Sequence, residues 1–442
     1  MIGATPSIGL FMKKNNPGGV LVGTGSFRVD SKRALKKIRD FQVGSSLAPE
    51  LLWIRAANAG GAQEIRMRRT FREFTISFDG RPASLKFLKD PFFCVIDETV
   101  ADGRHEVHVA RALLRELRDK PEFITVRSNG RRLRVSGILP KHRSVSKTAE
   151  VSERIVVRIR WSLWRSMRIS RIGSEELAPL TVLSRATVIL DNSPLPQDRE
   201  ENLREFRFRK EGFRGKIRPL SGYARASTRT RSILHPAKDG VSLETRKIRS
   251  VPAAVEAWVD SGHWKLNASL DKVVAEENFQ RGVAVIDKAT QSLIRSELKA
   301  HGHRATRIGQ MLMSADEVRA NLFRNGHLIT PEEAFGVSRV FGTLVVDIRR
   351  TLWLRDVAIR VERGPKVLRA LLDRADLFWN VRGVPLSIRV IKKSNSKIVR
   401  YDDIAWREPQ KVSHDIVWCF LGREDRRWLS RLVSSTMRRV GR

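Results

Sequence analysis

Cysteine and long hydrophobic runs are both scarce in this sequence, and each shortage excludes a class of protein. Among 442 residues only Cys94 and Cys419 are cysteines, which excludes a disulfide framework and a zinc site built on paired cysteines. No stretch approaches the ~18 consecutive apolar residues of a membrane-spanning helix, and the N-terminus lacks the basic start and apolar run of a signal peptide. We therefore expect a cytoplasmic protein without a membrane partner.

Acidic residues are also in short supply. The chain has 48 Asp and Glu against 84 Lys and Arg, which gives a formal net charge of +36. A charge of this size favours an anionic partner, either nucleic acid or another acidic macromolecule. The basic residues are spread along the whole chain, however, so an arginine-rich codon usage with charges on solvated surfaces explains the same composition. The composition alone leaves both explanations open.

The first third of the chain contains alternating helix and strand patterns. Residues 1–22 are typical of a loose start, and DSKRALKKIRDFQ has the apolar spacing of a helix. A second helix is predicted from Pro49 to Gly60–Gly61, and EIRMRR and EFTISFDG predict a pair of strands. A third helix, HVARALLRELRD, precedes FITVRSNGRRLRVSG, in which Asn129–Gly130 predicts a tight hairpin.

Beyond a basic connector near residue 145 the pattern becomes strand-rich. The strand patterns are ERIVVRIRW, RATVILDNSPL, REFRFRK, RTRSILH and DGVSLET, and a long helix that follows is expected to begin at Ser269 and end at Gly302. Two similar segments, beginning at Ala320 and Ala375, are either a weak duplication or a coincidence. The patterns predict an α+β protein with three folded regions, residues 23–145, 146–302 and 303–442.

The order helix, helix, two strands, helix and hairpin over residues 25–140 resembles the GHKL ATPase superfamily. That superfamily includes gyrase B subunits, large heat-shock chaperones, histidine kinases and MutL-type repair proteins. The resemblance implies a two-layer α/β sandwich of the Bergerat type, followed by a strand-rich transducer-like domain and an α+β C-terminal region. ATVILDNSPLP is similar to a strand and turn of the transducer domain, and WKLNASLDKVVAEENF resembles a segment of bacterial GHKL-like proteins of no known role.

The second helix of that family carries Glu, three residues, Asn, two residues, Asp and Ala, and the aligned segment here is IRAANAGGA. Asn58 and Ala62 match the pattern, whereas Ile54 stands in place of the glutamate and Gly61 in place of the aspartate. The family's glutamate activates the attacking water, a general-base task that isoleucine cannot perform. Asn58 is therefore either a residual Mg²⁺ ligand through its side-chain oxygen or a packing residue.

A second family motif, Asp-x-Gly-x-Gly after a strand, supplies the aspartate that accepts a hydrogen bond from the adenine amino group. ISFDGRP places Phe78 where that aspartate should be and keeps Gly80. Strand alternation puts Phe78 on the core face with Ile76 and puts Asp79 on the opposite face. A shift by one residue would bring Asp79 into the pocket but would turn the apolar residues outward. We expect an apolar, filled pocket, with Asn58, Asp79 and Gly80 as the candidate nucleotide-binding residues.

Basic residues of the second region offer a different kind of site. In REFRFRKEGFRGKIRP the arginines and phenylalanines alternate, so they lie on opposite faces of a strand. The resulting arginine ladder suits phosphates but not base stacking, and a solvated sheet face gives the same pattern. The candidate nucleic-acid-binding residues are Arg207, Arg209, Arg214, Arg229 and Arg231.

The sequence thus predicts a non-catalytic GHKL-fold scaffold or chaperone-like protein with a degenerate ATP pocket, without catalytic residues, metal ligands or a cofactor. The alternative is a nucleic-acid-binding protein that uses the arginine face of the second region. A third possibility is a protein that binds ATP and Mg²⁺ and keeps residual ATPase activity.

Overall fold

The computed structural model describes most of the chain between residues 48 and 314 and parts of the C-terminal region. The described residues are 35, 37, 48–96, 103–138, 142–149, 152–169, 171–195, 205–220, 232–249, 253–267, 270–274, 277–314, 323–324, 327–328, 333–334, 336, 338–360, 366–380, 384–393, 397–400 and 416–419. They form a mixed α+β fold with several β-sheets. The predicted loose start at residues 1–22 lies outside them, as does nearly all of the helix predicted in DSKRALKKIRDFQ.

Eight strands form the first sheet. They are β1 (Glu64–Arg69), β2 (Glu73–Phe78), β3 (Phe123–Ser128), β4 (Arg131–Val135), β5 (Arg143–Lys147), β6 (Ile155–Arg160), β7 (Thr187–Leu190) and β8 (Ser193–Pro194). Their order is β5-β4-β3-β6-β2-β1-β7-β8, and all neighbours are antiparallel except β1 and β7. The predicted β1–β2 pair is confirmed, and so is the hairpin at Asn129–Gly130, where both residues have the positive φ that a tight turn needs.

The first sheet continues through residue 145, where the sequence predicted a boundary between regions. The strand β6 follows that position in the chain, yet it lies between β3 and β2 in the middle of the sheet. The basic connector itself forms β5, an edge strand whose residues are mostly exposed. Polar, charged residues are usual on an edge strand, so its composition resembles that of a linker.

Helices cover one face of the first sheet. They are α1 (Pro49–Ala59), α2 (Leu85–Lys89), α3 (Phe93–Ile96) and α4 (Arg104–Arg118), and two short helices, α5 (Leu163–Ser166) and α6 (Ser174–Leu177), follow β6. α1 and α4 pack together, and their buried side chains share one core with alternate residues of the strands. Trp53 Nε1 donates a hydrogen bond to buried Glu116 (3.1 Å), and Arg171 pairs with Glu116 (2.8 Å) and Glu50 (3.3 Å). This ion cluster joins the two helices.

The second sheet has six strands. They are β9 (Phe206–Lys210), β10 (Phe213–Pro219), β11 (Ser232–Lys238), β12 (Val241–Ser242), β13 (Arg246–Ile248) and β14 (Val255–Ser261). Their order is β12-β11-β14-β10-β9, with β13 paired to β11, so β9 lies at the edge of the sheet as described. The residues between β11 and β12, Asp239 and Gly240, both have positive φ and form a tight turn.

A helix of 38 residues, α7 (Glu277–Ser314), joins the second sheet to the C-terminal region. At 1.5 Å per residue it is about 57 Å long. The predicted end at Gly302 is wrong, because a glycine costs only ~1 kcal/mol relative to alanine in a helix whose neighbouring turns are packed. The predicted start, Ser269, lies outside the described residues, and the helix as described begins at Glu277.

The C-terminal region packs on the second half of α7. Its helices are α8 (Arg339–Arg360), α9 (Lys366–Arg374) and α10 (Ile388–Lys393), and its strands are β15 (Phe323–Arg324), β16 (His327–Leu328), β17 (Asp376–Asn380), β18 (Pro385–Ser387), β19 (Lys397–Arg400) and β20 (Ile416–Cys419). The two similar sequence segments each contain a hairpin, β15–β16 and β17–β18. Trp353 and Leu377 belong to the same core as Phe213 of the second sheet, so this core extends across the predicted boundary at residue 302. None of the helices in the described ranges has both the length and the apolar composition needed to cross a bilayer.

Candidate functional site

The two segments that resemble nucleotide-binding motifs meet at the C-terminal end of α1. The Arg81 N–H donates to the carbonyl of Gly60 (2.9 Å), which ties the turn after β2 to the end of the helix. Gly80 has a φ of +109°, and a Cβ added to it would lie 2.8 Å from the Gly60 carbonyl oxygen. Only glycine fits this close approach. Gly80 is therefore explained by the contact between backbones, with no ligand required.

Buried apolar side chains stand at two of the altered motif positions. Phe78 is 1% exposed and Ile54 is fully buried. Residues Phe74, Ile76 and Phe78 alternate with more exposed neighbours along β2, which confirms the predicted strand register. Phe78 and Ile54 are therefore part of the packed core.

Asp79 holds the beginning of β1. Its Oδ1 accepts hydrogen bonds from the N–H groups of Gln63 (3.0 Å) and Glu64 (2.8 Å). Partial burial raises the pKa of the Asp79 carboxyl, but these two backbone donors outweigh it, so the pKa lies below its usual range. The carboxylate points away from the core, as the strand alternation predicted, and serves the neighbouring backbone.

Asn58 is buried and holds the loop that leads into β7. Its Oδ1 accepts hydrogen bonds from Ser184 Oγ (3.1 Å), Arg185 N–H (3.0 Å) and Ala186 N–H (3.3 Å). A Cβ added to Gly240 would lie 2.7 Å from Asn58 Nδ2, so the turn between β11 and β12 rests on this side chain. The sequence left two roles open for Asn58, a residual Mg²⁺ ligand or a packing residue. These contacts are those of a packing residue.

The turn between β11 and β12 reaches α4 and forms what we call the junction, the contact of Asp239 with His108 and Arg104. Nε2 of buried His108 donates to Asp239 Oδ2 (2.9 Å), and Arg104 donates to the same oxygen (3.1 Å). Burial lowers the pKa of His108, although the Asp239 carboxylate acts in the opposite direction. Burial raises the pKa of Asp239, but His108 and Arg104 outweigh it and hold that pKa low. The junction therefore joins a neutral imidazole to an ionised carboxylate.

Further cations surround the junction. The Arg55 side chain is buried, its Nη1 donates to the Leu270 carbonyl (3.0 Å), and burial lowers its pKa to about 10. Lys238 Nζ donates to the Trp264 carbonyl (2.7 Å), and burial lowers its pKa too. Both hydrogen bonds go to backbone carbonyls of the second region, and the one from Arg55 crosses between the regions. Together with the contacts of Asp239, it fastens α1 and α4 to the second region.

The sequence did not identify the junction as a site. From the sequence, DGVSLET, which begins at Asp239, is assigned only to a strand pattern, and neither His108 nor Arg104 is named as a site residue. His105 contacts the Pro82 carbonyl (3.3 Å). A histidine on the apolar face of an amphipathic helix was the available signal, but its partner lies 131 residues away in the sequence.

Of the five candidate nucleic-acid-binding arginines, Arg207, Arg209 and Arg214 share one face of the second sheet, where Arg214 is directly opposite Arg209. Arg207 and Arg209 are exposed on β9, and the neighbouring Phe206 and Phe208 are more buried. Arg214 pairs with Asp260 (2.6 Å), so its charge is already matched. The other two candidates, Arg229 and Arg231, lie outside the described residues.

No family model matches the sequence, and no curated protein matches it.

Proposed function

We propose that the chain is a non-catalytic scaffold of the GHKL type, in which the ancestral nucleotide pocket has become a packed connection between two regions. The order of helices and strands in the first region supports the GHKL likeness. The substitutions at Ile54 and Phe78 remove the general base and the adenine partner of that family. Their burial supports a role in packing.

The observation that carries this proposal is the set of hydrogen bonds that the Asn58 side chain accepts. Its side-chain oxygen is the one Mg²⁺ ligand that the resemblance retains, and it accepts three hydrogen bonds from the loop before β7. Binding Mg²⁺ would require breaking buried hydrogen bonds, each of which is worth about 1 kcal/mol net and more when a donor is left unsatisfied. Asp79 is engaged with backbone N–H groups in a similar way.

The junction supports the scaffold role. Asp239 and Gly240 of the second sheet contact α4 and α1 of the first region, so the two sheets are held together by a turn that lies against Asn58. A protein that hydrolyses ATP needs access to this end of α1, whereas a scaffold benefits from closing it.

The test is a thermal-shift titration of the full chain with ATP and Mg²⁺, and with ADP, at up to millimolar concentration. We expect no shift in the melting temperature. A nucleotide at a hundred times its dissociation constant would add about 2.7 kcal/mol, so a clear upward shift would contradict the proposal. Asn58→Ala is the matched variant: we expect it to melt at a lower temperature by the same amount with and without nucleotide.

Nucleic-acid binding through the second sheet is the second candidate function. Arg207 and Arg209 favour it, because both are exposed on an edge strand and neither has a carboxylate partner among the described residues. Fluorescence anisotropy with a labelled DNA duplex tests it. If this face binds nucleic acid, Arg207→Gln/Arg209→Gln weakens binding uniformly across sequences and reduces its salt dependence; unchanged affinity would exclude this face.

A further inference from the structure

The face of the first sheet that lies opposite α1 and α4 is open, and arginines dominate it. We call it the open face. Burial alternates along its strands: in β1, Ile65 and Met67 are buried and Arg66 and Arg68 are exposed. The strand residues with charged side chains on the open face are seven arginines, Arg66, Arg68, Arg127, Arg132, Arg134, Arg158 and Arg160, and two glutamates, Glu64 and Glu73.

The strand register places three of these arginines in one row. Arg134 of β4 is opposite Thr125, Thr125 is opposite Arg158 of β6, Arg158 is opposite Thr75, and Thr75 is opposite Arg68 of β1. Arginine and threonine thus alternate across five strands. Because neighbouring strands lie about 4.8 Å apart, successive arginines in the row are about 10 Å apart. The hydroxyl groups between them are hydrogen-bond donors as well.

A second row runs beside the first. It is displaced from the first row by two residues along each strand. Arg132 lies opposite Arg127, and Arg66 lies opposite Ser77. Two residues along a strand span about 6.6 Å. This second row is less regular, because Val156 and Ser77 separate Arg127 from Arg66, so the repeated arginine spacing belongs to the first row.

Carboxylates match only part of this charge. Glu64 pairs with Arg66 (2.8 Å) and Arg154 (3.0 Å), and Glu73 pairs with Arg158 (2.6 Å). Arg68 and Arg132 are exposed and have no carboxylate partner among the described residues. The guanidinium of Arg134 lies 4.4 Å from the centre of the Phe123 ring. Positive charge is thus in excess over an exposed area.

The side chains of the open face favour a nucleic acid over a lipid surface. Within the described part of the chain, none of the exposed large apolar side chains lies on the open face. Phe71, Leu163 and Trp164 are exposed, but they lie beyond the strand ends. A lipid-binding surface needs apolar residues to insert, whereas phosphates need guanidinium and hydroxyl donors. Guanidinium groups bind phosphate oxygens in a bidentate manner, and a regularly spaced row of them suits a partner with regularly spaced charges.

We propose that the open face of the first sheet binds the sugar–phosphate backbone of a nucleic acid without reading its sequence. Phe123, the aromatic side chain of β3 on this face, is already stacked with Arg134, so base stacking contributes little. The surface differs from the Arg207–Arg209 edge of the second sheet. This inference goes beyond the scaffold role and does not rest on it. The nucleotide titration tests the scaffold role and the DNA titration tests the open face, so either proposal can fail without the other.

The test compares two charge-matched variants of the full chain by fluorescence anisotropy, with a labelled 20-base-pair DNA duplex and the corresponding single strand, over a range of salt concentrations. The first variant is Arg68→Gln/Arg132→Gln on the open face, and the second is Arg207→Gln/Arg209→Gln. The slope of log K against log salt falls in magnitude by about 0.9 for each duplex phosphate contact removed. We therefore expect the first variant to lose about two units of slope and the second to keep the wild-type slope.

Several outcomes would overturn the proposal. Equal losses in both variants would indicate a general effect of net charge, and a loss confined to the second would assign binding to the second sheet. Absence of binding by the wild-type chain would exclude a nucleic-acid partner. Binding to vesicles containing anionic lipid that is lost in the first variant, with no binding to either DNA, would replace nucleic acid by a membrane surface. Circular dichroism and melting curves confirm that the variants are folded, since exposed substitutions usually change stability by less than about 0.5 kcal/mol.

Discussion

The two large sheets both carry arginines on the face away from their helices, but Arg218 of the second sheet is matched with partners that Arg68 and Arg132 of the first sheet lack among the described residues. On the second sheet Arg218 pairs with Glu256 (2.8 Å) and lies 4.6 Å from the centre of the Trp258 ring. His235 stacks on the same tryptophan (centroid distance 4.9 Å) and bonds to the same glutamate (2.9 Å). On the first sheet, Arg68 and Arg132 have no carboxylate partner within the described residues.

This difference shows that an arginine in an alternating strand has two distinct uses. Beside a glutamate and a tryptophan it covers apolar surface and becomes part of the fold, because its aliphatic stem packs while its charge is neutralised. In a row of like charges it contributes little to stability and leaves a charge available to a partner. The cross-strand neighbour decides between these uses, and that neighbour is distant in the sequence.

The largest expected effect comes from a buried carboxylate of the first region. Glu116→Gln leaves Arg171, which is 10% exposed, without its closest partner, because Glu116 binds it at 2.8 Å. Removing one partner of a buried ion pair costs about 3–5 kcal/mol. We expect a loss of this size in the free energy of unfolding, measured by urea titration. Glu122→Gln, which weakens the exposed pair with Arg72, is the control and should change stability by less than about 1 kcal/mol. Similar losses in the two variants would contradict the distinction between buried and exposed pairs.

The connection between the sheets is tested by two glycines with the same backbone conformation. Gly61 and Gly240 both have a φ of +79°, but a Cβ on Gly61 meets nothing within 4 Å, whereas one on Gly240 lies 2.9 Å from Ser184 Cα. Both substitutions by alanine incur the cost of left-handed backbone, about 1–2 kcal/mol. Gly240→Ala should lose about 1–3 kcal/mol more from the forced contact. Equal melting temperatures for the two variants would show that the turn does not press on the first region.

A pH dependence of about 2 kcal/mol is expected from the second region. His301 of α7 is buried, its Nε2–H donates to the Asp376 carbonyl (2.7 Å), and burial lowers its pKa to about 4. The unfolded chain, with an ordinary histidine pKa near 6.5, binds a proton more readily, so stability is complete above about pH 6.5 and falls as the pH drops toward 4. About 2 kcal/mol should be lost at pH 5. Urea titrations from pH 7.5 to 5 measure it: His301→Gln should flatten the dependence and His303→Gln, on the exposed side of the helix, should not.

Local patterns predicted much of the fold, because strands and hairpins depend on neighbouring residues. The β1–β2 pair, the Asn129–Gly130 hairpin and the burial of Phe78 follow from alternation and turn chemistry alone. The sequence did not reveal that the first sheet extends across residue 145 and the second core across residue 302, because both depend on long-range pairing. β6 is inserted between strands that precede it in the chain, and α7 continues through Gly302.

The site was harder to predict for the same reason. The role of Asn58 depends on a loop more than 120 residues away, and the partner of His108 comes from the second sheet. A sequence motif indicates which residue types are present. The hydrogen-bond partners of those residues come from segments that are distant in the sequence. The sequence did not reveal the open face, because its arginines occupy alternate positions on strands that are separated in the sequence. No local run of residues reveals that they share one surface.

The smallest effects compare the two sheets directly. Arg218→Gln removes an ion pair with Glu256 and a ring contact with Trp258 on the second sheet, and we expect it to lower the free energy of unfolding by about 2 kcal/mol. Arg68→Gln, on the open face of the first sheet, should change it by less than about 0.5 kcal/mol. The order should reverse for DNA binding, where Arg68→Gln reduces the salt dependence and Arg218→Gln does not. If Arg68→Gln proved as destabilising as Arg218→Gln, the first sheet's arginines would be holding the fold together and would not be free for a partner.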